Sequence, residues 1–272
     1  MNFKKMLGTC WCAASLTIAS GALAGNLVIK GSTTVLPIAQ KAAEDFMKKN
    51  PSTSISVSGG GSGEGVKAII DGTCDIATSS RDMKPEELTL AKEKGAEIVK
   101  HSVAMDCVAP VVHPDNKVTG LTLEQLKDIY MGKIRNWKEV GGDDKPIVVV
   151  SRDTSSGTFE IWHEKVLKKE KVTPEAQMSA SSGAVAQIVS KNRFAIGYVG
   201  IGYINKDLKA VPVNGVRATP ETALDGSFPV SRALYFFTRG ELKDDIKAFV
   251  EFVLSDDGQK IVLEEGFVPL KK

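Results

Sequence analysis

The chain is poor in the residues that build metal centres and covalent frameworks, with four cysteines and three histidines in 272 residues. Cys10 and Cys12 fall in the leading segment. Cys74 and Cys107 remain, and neither stands beside a His or another Cys at ligand spacing. That spacing argues against a metal site. The pair either forms one disulfide, which an oxidising compartment permits, or stays as two buried thiols. Charge of one sign is also missing. The formal net charge is +2, which gives no basic footprint for nucleic acid. Beyond residue 24 no stretch approaches the roughly 20 apolar residues that span a bilayer.

Catalytic signatures are absent too. There is no Gly-x-x-x-x-Gly-Lys-Ser/Thr loop, no Ser-x-x-Lys and no His-Glu-x-x-His. Glu64 stands where a Gly-x-Ser-x-Gly elbow around Ser62 would need its second glycine. His101, His113 and His163 are isolated, and His163 reads as a surface or packing residue of a helix. Asp75, Asp82, Asp106 and Asp153 read as caps or solvated charges. No activated nucleophile is visible, so neither an enzyme nor a cofactor is expected.

What is present begins with a distinctive leader. Lys4 and Lys5 precede an uncharged apolar stretch from Met6 to Leu23, and Ala22-Leu23-Ala24 supplies a small-x-small cleavage pattern. Residues 1–24 read as a cleaved Sec signal peptide. An anchor helix fits less well, because the run is short and rich in Ser, Thr and Gly. Cys10 lies too early for a lipobox. Removing the segment takes away two lysines and no acid, leaving a neutral chain.

Strand-like runs then alternate with helix-like runs, the pattern of an α/β fold with mainly parallel sheets. Three strand-to-helix loops share one chemistry: Gly31–Thr34, Gly59–Gly65 and Arg152–Thr158 are each crowded with Ser, Thr and Gly. Helix N-termini present unpaired N–H groups and about half a positive charge each. Glycine permits close approach and hydroxyls add donors, so such loops bind anions. Three helix starts supply about +1.5, and Arg152 adds a full charge and a bidentate fork. A tetrahedral dianion would be nearly balanced there.

Outside these loops, Leu126-Lys127-Asp128-Ile129-Tyr130-Met131-Gly132-Lys133-Ile134-Arg135-Asn136-Trp137, Ala195-Ile196-Gly197-Tyr198-Val199-Gly200 and Phe228-Pro229-Val230-Ser231-Arg232-Ala233-Leu234-Tyr235 are specific marks. On these motifs, and from about Leu27 to Leu270, the chain resembles the periplasmic phosphate-binding proteins of ABC transporters. The resemblance implies a two-lobed α/β clamshell of the type II-like class, hinged by two chain crossings near Asp106 and Arg232. Its lobes would be residues 25–106 plus 233–272, and 107–232. It further implies a monomer in the periplasm that closes on inorganic phosphate and passes it to an ABC permease in the inner membrane.

By the same resemblance the ligand contacts are Thr33 and Thr34, Ser62 and Gly63, Ser80, and Arg152, Ser156, Gly157 and Thr158. Ser62 would offer a hydroxyl and Gly63 an amide. Ser80 departs from the pattern, since well-known members place an aspartate there to accept the proton of phosphate. Serine can accept or donate, which leaves room for sulfate, molybdate or tungstate as rival ligands. A secreted phosphatase is a more distant rival. Arg81 either adds a second charge to the site or pairs with a nearby acid.

Overall fold

Residues 25–242 and 244–270 are described by the structure, a computed structural model; the expected signal peptide over residues 1–24 lies outside them. Strand β1 (Gly25–Gly31) buries Leu27 and Ile29, which point to one face of the sheet. Helix α1 (Leu36–Lys49) follows with Ile38, Ala39, Ala42, Ala43 and Phe46 on its buried stripe. It carries the chain over to β2 (Thr53–Gly59), which pairs with β1 in parallel, as a helical crossover allows. Helix α2 (Ser62–Asp71) returns the chain to β3 (Ile76–Ser79) on the other side of β1. A short helix, α3 (Pro85–Glu93), was not signalled by periodicity, because Leu88 and Leu90 are exposed and only Ala91 is buried.

Strand β4 (Ile98–Val112) is fifteen residues long and belongs to both halves of the molecule. Downstream lie α4 (Leu123–Tyr130), β5 (Val148–Arg152), α5 (Gly157–Lys165), β6 (Gln177–Ser179), α6 (Ser182–Lys191) and β7 (Ala195–Gly200). The chain closes through β8 (Lys209–Ala210), α7 (Pro220–Leu224), β9 (Ser231–Arg239), α8 (Asp244–Leu254) and α9 (Asp256–Glu264). The strand order is β2-β1-β3-β9-β4-β7-β5-β6, with β8 beside β4.

The sheet is mixed, and this corrects the expectation of mainly parallel pairing. Only β1–β2, β1–β3, β5–β6 and β5–β7 are parallel among the described pairs. At the centre β9 runs antiparallel to β3 and β4, and β7 antiparallel to β4. The reason is the route of the chain: it leaves the first half along β4 and comes back beside it along β9. The first part of β4 pairs with β9 from Ile98↔Arg239 to Cys107↔Ser231, and Val108–Val112 pairs with β7.

Each half has its own core. One gathers Leu27, Ile29, Phe46, Leu234, Phe236 and Phe249; the other gathers Val108, Tyr130, Trp137, Trp162, Ile196 and Tyr198. Cys107 belongs to the second core, and Cys74 to a smaller cluster behind the first. The two thiols are therefore free and apart. Burial pushes Cys74 up to about 12 and Cys107 up to about 11, so both are un-ionised and unreactive at neutral pH.

Helix α2 lies unusually close to β1. A Cβ on Gly65 would sit 2.7 Å from Gly31 Cα, 2.7 Å from Lys30 O and 3.0 Å from Thr78 O, all backbone atoms. Gly→Ala within a helix ordinarily stabilises by about 0.5–1 kcal/mol. Here the sign reverses: Gly65→Ala is expected to cost about 1–3 kcal/mol in denaturant unfolding, the range of an overpacked core. An unchanged or raised midpoint would show that the helix is free to move off the strand.

Candidate anion-binding site

The three Ser/Thr/Gly loops converge, and a fourth helix start joins them. Ser32 Oγ accepts from the N–H of Thr34 (3.2 Å) and of Val35 (3.4 Å), turning the chain into α1. Ser156 caps α5 by accepting from Phe159 N (3.2 Å), and Ser181 caps α6 by accepting from Ala184 N (3.1 Å). At the meeting point Thr34 Oγ1 lies 2.8 Å from Thr158 Oγ1 and 3.3 Å from Ser182 Oγ. Thr33 Oγ1 is 3.5 Å from Ser182 Oγ, and Ser62 Oγ is 3.3 Å from Ser80 Oγ. Thr33, Thr34, Ser62, Ser80, Ser156, Thr158 and Ser182 are all buried.

Fixed N–H groups decide which way these hydroxyls work. Ser62 Oγ accepts from Ser80 N (3.0 Å), Ser182 Oγ from Arg152 Nη1 (3.2 Å) and Thr158 Oγ1 from Arg232 Nη1 (3.1 Å). Thr33 Oγ1 accepts from Ser182 N (3.3 Å), and Thr34 Oγ1 from Arg232 Nη2 (3.4 Å). Each of these oxygens accepts an N–H; in the Thr34–Thr158 and Ser62–Ser80 pairs one hydroxyl proton is shared within the pair and the other is left to give. The cluster is therefore rich in donors, as an oxyanion requires. Ser80 Oγ differs, since the contact it makes is with another hydroxyl.

Two arginines stand in the cluster under opposite electrostatic conditions. Arg152 is 1% exposed and donates to neutral acceptors: Ser179 O from Nε (3.0 Å), Ala180 O from Nη2 (3.1 Å) and Ser182 Oγ. Asp153 is 3.9 Å away and 38% exposed, which offers the buried cation weak compensation. Burial accordingly pulls the Arg152 guanidinium below its ordinary value, although it keeps its proton. Arg232, by contrast, is paired. Its Nε (2.8 Å) and Nη2 (2.7 Å) both donate to Asp106 Oδ2, and Asp106 Oδ1 accepts from Ile201 N (2.8 Å). Burial raises Asp106, and the Arg232 charge opposes that rise.

The second core fixes Arg152 from behind. Trp162 stacks on Tyr198 with ring centroids 4.5 Å apart and 9° between planes. That fixes the Tyr198 hydroxyl, which accepts from Arg152 N (3.1 Å) and meets Ser151 Oγ at 2.9 Å.

Further contacts join the halves. Gly63 N donates to Ser155 O (2.9 Å), and Ser155 Oγ donates to Gly60 O (3.0 Å). Glu160 on α5 pairs with Arg81 (2.8 Å) and Lys84 (2.9 Å) across the same boundary. Tyr203 Oη donates to Thr33 O.

Of the residues singled out from sequence, Thr33, Thr34, Ser62, Ser80, Arg152, Ser156, Gly157 and Thr158 meet in this cluster. Gly63 departs from its expected role: its N–H is spent on Ser155 O, because the glycine-rich loop rests on the opposite half. Arg81 pairs with acids, donating to both Glu87 oxygens (2.8 and 2.7 Å) besides meeting Glu160. His163 stacks on Phe159 with centroids 5.4 Å apart. Sequence reading missed Ser182 as a site residue, although Ser181-Ser182-Gly183 repeats the loop signature before a helix. It placed Asp106 and Arg232 at the hinge without seeing that their side chains reach the cluster. Among the described residues no group of three His, Cys, Asp or Glu could hold a metal ion, and no helix is long and apolar enough to cross a membrane.

Comparison with known proteins places this geometry. Residues 17–257 match the family described as PBP superfamily domain. The phosphate-binding protein PstS of Bacillus subtilis is 34% identical over 248 residues, covering 90% of this chain and 81% of that protein. A Clostridium perfringens substrate-binding protein assigned to phosphate ABC transport, crystallised with bound phosphate, superposes with a TM-score of 0.85. It is 42% identical, and the match covers 91% of this chain and 100% of that one. An ABC-type phosphate transport receptor from Vibrio cholerae gives a TM-score of 0.73 at 32% identity, covering 89% and 99%.

Tyr198→Phe keeps the stacked ring and removes the acceptor for Arg152 N together with the hydrogen bond to Ser151 Oγ. The stranded N–H should lower stability by about 1–3 kcal/mol in denaturant unfolding, the cost of an unsatisfied buried donor. A variant as stable as the parent would show that the hydroxyl does not fix Arg152.

Proposed function

The chain belongs to the PBP superfamily and, within it, to the PstS phosphate-binding proteins, and on that premise we propose that inorganic phosphate is its ligand, captured between two lobes and delivered to an ABC permease. The observation that carries the reading is Arg152, a buried cation whose nearest carboxylate lies 3.9 Å away and is partly exposed. A buried charge so poorly compensated is costly, and a bound anion removes that cost. Three of the five guanidinium N–H groups are used within the protein, which leaves two for ligand oxygens. The hydroxyls of Thr33, Thr34, Ser62, Ser156 and Thr158 supply further donors, and Ser182 joins them.

The lobes are residues 25–106 with 233–272, and 107–232. The change of strand partner at Cys107/Val108 and the two separate cores support that division. The cycle is capture, closure and release, with no covalent step. Closure brings Thr34 and Ser80 of one lobe against Thr158 of the other. Export to the periplasm rests on the leader: Lys4, Lys5, the apolar run and Ala22-Leu23-Ala24.

Sulfate is a second reading, and Ser80 motivates it. No carboxylate replaces the expected aspartate at that position, and the nearby Asp106 is committed to Arg232. Repulsion of an unprotonated dianion is correspondingly weaker.

Calorimetric titration of refolded, anion-free protein is the direct test. Phosphate should bind, and Arg152→Ala should weaken it by about 100-fold, the loss of two charge-assisted hydrogen bonds. An unchanged affinity would move the site elsewhere. Sulfate binding as tight as phosphate would favour the second reading. A separate variant probes closure. A Cβ on Gly157 would lie 2.4 Å from Ser62 Oγ and 2.9 Å from Ser80 Oγ. Gly157→Ala is expected to melt near the parent temperature without ligand, yet to lose at least tenfold in phosphate affinity. Retained affinity would mean that closure is looser than the contacts suggest.

A further inference from the structure

We propose that Arg232, rather than Arg81, is the second arginine of the phosphate site, and that Asp106 holds and neutralises it. The inference rests on the phosphate reading above and adds a ligand-binding residue to it.

Arg232 and Asp106 are directly opposite each other in the antiparallel pairing of β9 with β4. They mark the point where both connecting strands pass between the halves. The guanidinium spends two of its nitrogens on Asp106 Oδ2. Its Nη1 also donates to Ser80 O and to Thr158 Oγ1, each at 3.1 Å, while Nη2 reaches Thr34 Oγ1 at 3.4 Å. Its partners outside the ion pair are thus site residues, drawn from both halves. These contacts use all five guanidinium N–H groups, so a tetrahedral anion is taken up by exchange: its oxygens replace Thr158 Oγ1 and Thr34 Oγ1 as acceptors from Nη1 and Nη2, and the two hydroxyls turn to donate to it. Arg81 has no such reach, since its fork is closed by Glu87 and Glu160.

The electrostatic consequence concerns how much charge the site presents. Arg232 with Asp106 contributes directional N–H donors and almost no net charge, while Arg152 contributes a full charge. The ligand therefore sees one uncompensated arginine and two sets of guanidinium donors. Arg232 touches Thr34 and Ser80 on one side and Thr158 on the other, so its donors are assembled on closure, and their loss should appear mainly as faster release.

The test compares the parent with the double variant Asp106→Asn/Arg232→Gln and with Asp106→Asn alone. Replacing both partners leaves no unpaired buried charge, so the double variant should melt close to the parent without phosphate. Its phosphate affinity should fall by about 30- to 100-fold, with the change in the dissociation rate. Parent-like affinity in the folded double variant would reduce Arg232 to a hinge strut and overturn the inference, leaving the phosphate reading intact. A parent that binds no phosphate would overturn both. Asp106→Asn alone exposes the electrostatic role. It strands the Arg232 charge, so saturating phosphate should raise its melting temperature by more than it raises the parent's. An equal or smaller rise would show that the ligand does not sense Arg232.

Discussion

A positive charge held in the protein interior without a close negative partner constrains everything around it. Arg152 has to be fixed by groups that cannot themselves neutralise it. The protein supplies two backbone carbonyls, a serine hydroxyl and the Tyr198 phenol behind its own amide. The phenol is fixed in turn by the Trp162 stack, so aromatic packing in one core sets the position of a charge at the boundary between halves. Such an arrangement is stable enough to fold and still unsatisfied enough to bind. Helix starts reinforce it, since four of them direct N–H groups and hydroxyls toward the same place.

The second constraint is topological. A chain that builds two α/β halves with separate cores has to cross between them, and here it does so along two strands. Here β4 and β9 cross side by side, and the ion pair Asp106–Arg232 sits at that crossing. The strands thus join the halves and hold a buried ion pair at their boundary. Glu160, one turn into the helix that begins at Gly157, faces Arg81 and Lys84, so the helix whose first turn joins the hydroxyl cluster also meets the rim of the other half.

Much of this was readable before any coordinates. The three Ser/Thr/Gly loops stand at strand-to-helix junctions, because those residue types are favoured where backbone N–H groups need caps and close approach. Buried strands such as Ile76–Ser79 and Ala195–Gly200 were legible as short apolar runs between turn residues. What escaped has physical causes. Parallel and antiparallel pairing share one strand pattern, so the central reversal at β9 was invisible. Helix α3 hides because its apolar residues lie mostly on its outer side. Gly63 was misjudged because a glycine amide aimed at a ligand and one aimed at a neighbouring loop look alike in sequence. Arg232 escaped because its importance lies in a cross-strand partner 126 residues away.

Cys74 and Cys107, the free cysteines among the described residues, have a use that no binding argument touches. Cys74 is packed behind the core of one half and Cys107 within the core of the other, and both are buried thiols. A thiol reagent can reach each only when its own half opens. Timed alkylation followed by peptide mass mapping therefore reads two separate opening clocks from one unmodified chain. If the clocks run together, the halves unfold as one cooperative unit; if they run apart, each half carries its own kinetic lifetime.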